Sequence, residues 1–332
     1  MGLKLEFYDV ADLPSLDRLW EEKTDWGEQS EALRRWFMES PFGKPSVVVA
    51  TDAETGKAVG QFRFMPARVW VNGREVSAVR PFGTIVTKEA HEAAAAHNPF
   101  ENPIWAMLFR GIDEFRARGA ELVYIVPDER WIGFLKRATE VLTVKNMRLG
   151  SFPLWSIPLP LADGLLPLGE GFTAAPLVDW DGVDQLWETA RNLHHCMTVR
   201  NASVLRWKLA QATFTVTAIK RDGELAGLVA TREKGDRQLL ICDLLAADDS
   251  PALRATLAAA INVSHEEAVA RAGANGLRKV GVLATSVMEP VIRSLGFERD
   301  DYDFPLLIQS LDQSLSVDDD VKPERWYFSA ND

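Results

Sequence analysis

The chain contains an internal repeat. The triplet Leu19–Glu21 recurs as Leu186–Glu188, and Gly60 recurs as Gly227. Both matches have the same offset of 167 residues, and both lie within recognisable local patterns. Unrelated segments seldom share several anchors at one spacing. The sequence therefore predicts two copies of one fold, each of which must bury its own apolar core.

Two later anchors keep their order but have a shorter offset. Gly119 matches Gly273 at an offset of 154 residues, and Phe152 matches Phe304 at 152. Copy two has therefore lost about thirteen residues between its glycine turn and its long helix. A segment that only one of two similar domains retains invites a functional interpretation.

The composition limits the class of protein. A chain of 332 residues that is 47% hydrophobic can build two domains of ordinary size without disulfide bonds. Its two cysteines, Cys196 and Cys242, show no metal-binding spacing and indicate a reducing compartment. No apolar run resembles a signal peptide or a membrane span, so we expect a cytoplasmic protein with no membrane partner. The net charge of −11, without a basic cluster, argues against nucleic acid.

Hydrophobic patterning predicts the same elements in both copies. Each copy should open with two helices and continue with antiparallel hairpins, one of which turns at Asn72-Gly73. A long helix, a buried strand, a short helix and a final strand pair should follow. The long helix should begin after Asn102 in copy one and after Ser250 in copy two. The predicted fold class is α/β, with a mixed, mostly antiparallel sheet flanked by helices in each copy.

These elements set the expected domain boundaries. Residues 1–160 form copy one, residues 161–176 form a linker rich in proline and glycine, and residues 177–310 form copy two. Residues 311–332 follow the last strand and end in the cluster Arg325–Phe328, which is too apolar for a free tail. We expect this segment to dock on the domains and to help fix the two copies relative to each other.

The segment Met288–Asp301, MEPVIRSLGFERDD, closes a short helix on Leu-Gly-Phe and continues into a strand. Together with the element order, this segment resembles the GNAT-type N-acyltransferase superfamily. Because the pattern extends over both copies, the chain is similar to tandem GNAT proteins. The resemblance implies two tandem GNAT-like domains that use acetyl-CoA or another acyl-CoA as co-substrate and require no metal.

The phosphate-binding loop of that family, Gln/Arg-x-x-Gly-x-Gly/Ala, is missing from both copies. In its place copy one has residues 86–103, which contain no glycine, and copy two has residues 244–251. Successive amides at a helix N-terminus form an anion site. Asp248 and Asp249 beside the helix of copy two would repel a pyrophosphate, so copy two is expected to be structural.

Residues 86–103 make copy one the candidate ligand-binding copy. If this segment holds an acyl carrier, the strand before it should pair with a pantetheine-like arm through backbone groups. The alternative is a surface insertion with an Ala-rich helical turn. The candidate cofactor-binding residues are Ile85, Val86, Asn98, Phe100 and Asn102.

Acyl transfer to an amine requires a group that removes a proton from the attacking nitrogen. A positioned base contributes about 10²- to 10⁴-fold in rate. Glu89 and His91 follow the strand that should border the cleft, and Tyr124 lies on the next strand. Histidine is the side chain best matched to neutral pH. The alternative is that these are two solvated loop residues and a tyrosine at the edge of the core. The tyrosine that the family often places on its last short helix is absent from both copies.

Two other sets of reactive side chains have structural explanations. His194–Cys196 cannot readily chelate one metal, because neighbours on a helix point about 100° apart. Asp243 lies on an apolar strand, where a buried carboxylate can have a perturbed pKa. A guanidinium partner such as Arg206 would make Asp243 structural, which is the interpretation that we favour.

The sequence is interpreted first as an N-acyltransferase that moves an acyl group from acyl-CoA to an amine of a small molecule, with a homodimer left open. A second interpretation is a non-catalytic binding or scaffold protein that kept a degenerate GNAT fold. A third is Fem-type aminoacyl transfer. On the first interpretation, the resemblance to some two-lobed acetyltransferases implies that a terminal carboxylate near Asp332 reaches the acceptor side of the cleft.

Overall fold

A computed structural model describes residues 2–10, 36–95, 102–127, 131, 135, 139–210, 214–234, 237–271 and 276–330. The chain divides into two compact units. Unit 1 comprises Met1–Val69, Arg74–Leu149 and Leu306–Lys322. Unit 2 comprises Trp70–Gly73, Gly150–Pro305 and Pro323–Asp332.

Unit 1 is built on a mixed sheet. Its strands are β1 Leu3–Asp9, β2 Ser46–Asp52, β3 Ala58–Val71, β4 Arg74–Val86, β5 Leu122–Ile125 and the end of β13 Glu298–Ser310. They lie side by side in that order. Strand β2 is antiparallel to β1 and β3, β4 is parallel to β5, and β13 is antiparallel to β5.

The helices of unit 1 are α1 Lys88–Ala95, α2 Pro103–Ala117 and α3 Thr139–Val144. Helix α2 begins as the sequence predicts. Asn102 caps it by accepting a backbone hydrogen bond of 2.9 Å, and Pro103 stands in its first turn. The apolar face of α2 packs on Phe62 and Phe64 of β3. Full burial of such a side chain contributes roughly 1.5 to 3 kcal/mol.

Unit 2 has a second mixed sheet. Its strands are β6 Met147–Pro158 from Gly150 onward, β7 Phe172–Pro176, β8 Cys196–Thr198, β9 Thr215–Arg221, β10 Glu224–Glu233, β11 Gln238–Ala246, β12 Lys279–Leu283 and β14 Trp326–Tyr327. Its helices are α4 Val183–Ala190, α5 Ala202–Leu209, α6 Pro251–Ala270 and α7 Glu289–Ser294. None of the helices described in either unit has the length and apolar character needed to cross a membrane.

The repeat in the sequence is a repeat in the structure. The sheet of unit 2 has the order β7-β9-β10-β11-β12-β6, and the sheet of unit 1 has the matching order β1-β2-β3-β4-β5-β13. In each sheet the fourth and fifth strands are parallel, and the sixth strand is antiparallel to the fifth. The prediction of two α/β copies with mostly antiparallel sheets is confirmed.

The repeated glycine has the same role in both copies. Gly60 and Gly227 each follow a β-bulge, and each lies beneath the long helix of its copy. A Cβ atom on Gly60 would approach Met107 Cε of α2 to 2.9 Å, and one on Gly227 would collide with Thr256 of α6. Glycine is therefore needed at both positions for the close approach of strand and helix.

The last strand of each copy does not lie wholly in the unit that the expected domain ranges 1–160 and 177–310 assign to it. Residues 307–310 of β13 pair with β5 in unit 1, and residues 154–158 of β6 pair with β12 in unit 2. Each unit is thus completed by the last strand of the other copy. Both strands carry the segment Phe-Pro-Leu, at Phe152 and Phe304, so local sequence alone does not distinguish the two slots.

Each copy begins with a strand, whereas the sequence predicted a helix. Strand β1 opens copy one, and β7 opens copy two inside the range 161–176 that was expected to be a linker. Strand β7 pairs with β9 along its whole length. Its Ala-Ala-Pro ending has weak strand propensity, so pairing rather than local preference makes it a strand. Residues 11–35, the region in which the opening helices of copy one are expected, lie outside the described residues.

The end of the C-terminal segment, from Pro323 onward, belongs to unit 2. Its expected role in fixing the two copies relative to each other stays a prediction. Trp326, Tyr327 and Phe328 are all buried, and the first two form β14, which pairs in parallel with β8. The ring of Phe328 stacks on Phe152 with the centroids 5.1 Å apart. Asp332 lies outside the described residues, so the role expected for its carboxylate stays a prediction.

Candidate functional site

The parallel strands β4 and β5 of unit 1 diverge. Their register joins residues 78–79 to residues 122–123, after which β4 continues to Val86 and β5 continues to Ile125. Backbone amides and carbonyls on the facing edges of diverging strands can pair with an extended ligand. This gap lies between the strands that hold the predicted residues Ile85 and Tyr124.

The predicted cofactor-binding residues lie at two places in unit 1. Ile85 is buried and Val86 is half-buried at the end of β4. Asn102 is buried at the start of α2, where its side chain is engaged as the helix cap. Asn98 and Phe100 lie outside the described residues. The assignment of these five residues to an acyl carrier stays a prediction.

The predicted catalytic residues lie on two elements. Glu89 and His91 are exposed on α1, which packs against α2. Tyr124 is buried on β5. Its neighbours Val123 and Ile125 belong to the core beneath α2, so Tyr124 points to the opposite face of the sheet. Their proton-transfer roles stay predictions.

The matching place in unit 2 has a carboxylate at the start of its long helix. The register of β11 and β12 ends at Ile241 and Val282, and β11 continues to Ala246. Asp248 then accepts hydrogen bonds from the backbone amides of Ser250 at 3.2 Å and Ala252 at 2.8 Å. The position that would hold an anion at a helix N-terminus is therefore taken by the chain's own carboxylate.

The end of β11 is also closed by the C-terminal segment. The hydroxyl of Tyr327 donates a hydrogen bond of 2.7 Å to the carbonyl oxygen of Leu244, and its ring lies 4.4 Å from that of His194. Asp249 and Met288 line the same small cavity, whose volume is about 10 Å³. A cavity of this size holds at most one water molecule.

The titratable groups near this cavity are unsuited to proton transfer at neutral pH. Burial, together with the nearby charges of Arg200 and His195, lowers the pKa of His194 to about 3. Burial also raises the pKa of the Cys242 thiol to about 11. At pH 7 the histidine is neutral and weakly basic, and the thiol is protonated.

The segment His194–Cys196 shows no metal-binding arrangement. Cys196 is buried in β8, and His195 Nδ1 lies 3.0 Å from Asn72 Oδ1. Within the part of the chain that the structure describes, no group of three or more His, Cys, Asp or Glu residues is placed to hold a metal ion.

Asp243 is structural, but its partner differs from the one predicted. Its carboxylate lies 2.8 Å from Arg200 Nε and 3.3 Å from Lys208 Nζ, and all three side chains are buried. Arg206, the expected partner, instead lies over the ring of Trp180. Arg200 also donates to Ser329 Oγ at 3.0 Å, which ties this ion pair to the C-terminal segment. No local sequence spacing indicates these contacts, because Asp243 lies 43 residues from Arg200 and 35 residues from Lys208.

Solved structures with this fold include three acyltransferase-related proteins. An Enterococcus faecalis V583 protein described as a probable N-acyltransferase is 11% identical, and the match covers 94% of this chain and 73% of that one with a TM-score of 0.64. A tandem GNAT protein from the clavulanic acid biosynthesis pathway is 13% identical, with coverages of 94% and 100% and a TM-score of 0.57. Saccharomyces cerevisiae N-myristoyltransferase, solved with bound myristoyl-CoA, is 12% identical, with coverages of 92% and 78% and a TM-score of 0.55.

No protein-family model and no curated protein matches the sequence. The structural matches nevertheless extend over both units of the chain. The chain therefore has the tandem GNAT fold that its sequence resembles.

Proposed function

We propose that copy one of this tandem GNAT fold binds an acyl-CoA and transfers its acyl group to an amine of a small molecule, while copy two is structural. One observation carries the proposal: the two copies differ at the same place in the same fold. In copy two, Asp248 accepts a hydrogen bond from the backbone amide of Ala252 in the first turn of α6, and the hydroxyl of Tyr327 donates one to the carbonyl of Leu244. In copy one, the residue that caps α2 is the uncharged Asn102.

The acyl carrier is proposed to lie along the end of β4. Its pantetheine arm carries amides that can pair with the backbone of Ile85 and Val86, as an added strand pairs with a sheet edge. The diphosphate would then approach the start of α2, near Asn98, Phe100 and Asn102, where the helix dipole favours an anion. The N-myristoyltransferase solved with myristoyl-CoA supports the choice of an acyl-CoA for this fold.

The proposed reaction is a direct attack. The amine nitrogen attacks the thioester carbonyl carbon, the carbon–sulfur bond breaks, and the CoA thiolate takes up a proton. Glu89 or His91 would accept the proton that the nitrogen loses, since both are exposed on α1. Tyr124, buried on β5, would protonate the thiolate.

The proposed setting follows from the composition. A net charge of −11 favours a small-molecule partner over a nucleic acid. We propose a cytoplasmic enzyme without a membrane partner. A homodimer is one alternative for its oligomeric state.

Two charge variants test which copy binds the acyl-CoA. Asn102→Asp keeps a good helix cap but adds a carboxylate where the diphosphate is proposed to lie. Asp248→Asn is the matched control, because it removes the charge in copy two and keeps a cap there. Desulfo-CoA at about 100 times its Kd should stabilise the wild type by about 2.7 kcal/mol in a thermal-shift experiment.

We expect N102D to lose this ligand-induced shift and D248N to retain it. A shift that survives in N102D and increases in D248N would show that copy two is the binding copy. A wild-type chain that does not respond to acetyl-CoA or desulfo-CoA would contradict the proposed function.

One observation favours the alternative of a non-catalytic binding protein. A cavity of about 620 Å³ lies in unit 2 between β7, β9 and the start of α4, and Asp179, Asp181 and Glu224 are among its lining residues. This volume falls in the range of small-molecule sites. A chain without a response to CoA compounds would direct attention to this cavity. Fem-type aminoacyl transfer stays a third prediction.

A further inference from the structure

Strand β3 of unit 1 buries two polar side chains on one face. Phe62 and Phe64 lie in the core beneath α2, so Gln61 and Arg63, which alternate with them, point to the opposite face of the sheet. Gln61 is 0% exposed and Arg63 is 1% exposed. Tyr124 of β5 points to this same face. These three polar side chains therefore lie buried on the face of the sheet that α2 does not cover.

Copy two carries apolar residues at the matching positions. The offset of 167 residues that relates Gly60 to Gly227 places Leu228 opposite Gln61 in the repeat, and Ala230 opposite Arg63. Leu228 and Ala230 are also fully buried in β10. The fold thus accepts apolar side chains at these positions, and the polar pair is a property of copy one alone.

The hydrogen-bonding groups of the Gln61 amide are unused within the described part of the chain. Among the residues that the structure describes, neither its Nε2 nor its Oε1 has a hydrogen-bond partner. A buried amide without a partner is unfavourable, and native proteins contain few of them. A fold that tolerates leucine at the matching position gains nothing in stability from this glutamine.

We infer that Gln61 is a specificity-determining residue for the acceptor, which is the amine substrate that receives the acyl group. When bound, this substrate supplies the hydrogen-bond donor and the hydrogen-bond acceptor that the Gln61 amide lacks. The inference rests on the proposed function of copy one. Because Gln61 is fully covered in this structure, the acceptor group must take the place of protein atoms that now cover the amide.

The chemistry of the amide indicates which part of the amine substrate binds here. The Gln61 side chain carries both a hydrogen-bond donor and a hydrogen-bond acceptor. The group that meets it therefore both donates and accepts, as an amide or a hydroxyl does, and is not an ammonium group, which only donates.

The test exchanges the residues of the two copies. Gln61→Leu introduces the residue that copy two carries, and Leu228→Gln is the reverse change in copy two. Urea denaturation of the full-length chain should give Q61L the same midpoint as wild type or a higher one, and L228Q a lower one. A midpoint clearly lower in Q61L than in wild type would overturn the inference, because it would show that the glutamine is a structural hydrogen-bonding residue.

Acetyl-CoA turnover with glycinamide and with n-butylamine measures the specificity. We expect the wild type to prefer glycinamide, and Q61L to raise the KM for glycinamide about tenfold with kcat within threefold of wild type. The KM for n-butylamine should not change. An unchanged KM for glycinamide in a stable Q61L would overturn the inference.

A wild type that binds desulfo-CoA but turns over neither amine would also overturn it, while the proposed acyl-CoA site would stand. A wild type without any response to desulfo-CoA would contradict the proposed function itself.

Discussion

Asn102 and Asp248 cap the long helices of the two copies with side chains of different charge. Each accepts a hydrogen bond from an amide in the first turn of its helix. Both therefore satisfy backbone donors, but only the carboxylate occupies the position that favours an anion. This difference could be predicted from the sequence, since Asp248 lies just upstream of Ser250 and Pro251, where the helix begins. The closure by Tyr327 could not, because it joins residues 83 positions apart.

Tyr124→Phe tests the proposed proton donor. Only the hydroxyl is removed, so we expect the free energy of unfolding to change by about 1 kcal/mol at most and KM to stay close to wild type. If Tyr124 protonates the thiolate, kcat should fall about 100-fold or more. Steady-state kinetics with acetyl-CoA measure this effect. A kcat within twofold of wild type would exclude the role.

His194 should make the stability depend on pH. Its pKa is about 3 in the folded chain, whereas an unfolded histidine has a pKa of about 6.5. As the pH falls below about 6.5, the unfolded state binds a proton that the folded state does not, so stability is complete above this value and is lost toward pH 3.

The variant His194→Phe keeps a ring beside Tyr327. Between pH 7 and pH 5, we expect its free energy of unfolding to fall by about 2 kcal/mol less than that of the wild type. Urea denaturation at the two pH values measures the difference. Equal losses in both proteins would mean that the folded chain protonates His194 as readily as the unfolded chain does.

At the scale of elements, the long helices were predictable and the opening strands were not. Helices α2 and α6 carry local signals, namely a cap residue followed by proline and a long apolar face. Strand β7 has only five residues and few strand-forming side chains, so its conformation depends on pairing with β9. The candidate acyl-carrier gap likewise depends on where the register of β4 and β5 ends, which no local pattern specifies.

The C-terminal segment should be a structural element of unit 2. Deleting residues 322–332 removes Trp326, Tyr327 and Phe328, and full burial of each contributes roughly 1.5 to 3 kcal/mol. We expect the melting temperature to fall by about 10 °C or more, or the chain not to fold. Differential scanning calorimetry measures the change.

Tyr327→Phe provides a milder variant of the same test. It removes the hydroxyl that donates to the Leu244 carbonyl and keeps the ring, so we expect a loss of about 1 kcal/mol with the fold intact. An unchanged melting curve for the deletion variant would contradict the docking of the segment.

For the molecule as a whole, the repeat was predictable, but the assignment of the last strands to the two units was not. Equal offsets between anchors indicate two copies of one fold from the sequence alone. The strand exchange that completes the two units could not be predicted, because Phe152–Leu154 and Phe304–Leu306 have the same sequence. Which slot each strand fills depends on the chain connection as a whole.

Only one of the two copies is proposed to bind an acyl-CoA, and the binding stoichiometry of the full chain measures this. Isothermal titration of the full chain with desulfo-CoA should give one molecule bound per chain. The variant Asn102→Asp should abolish this binding, whereas Ser250→Asp, the matched change at the helix start of copy two, should leave it intact. Two molecules per chain, or one whose binding is abolished by Ser250→Asp alone, would contradict the claim.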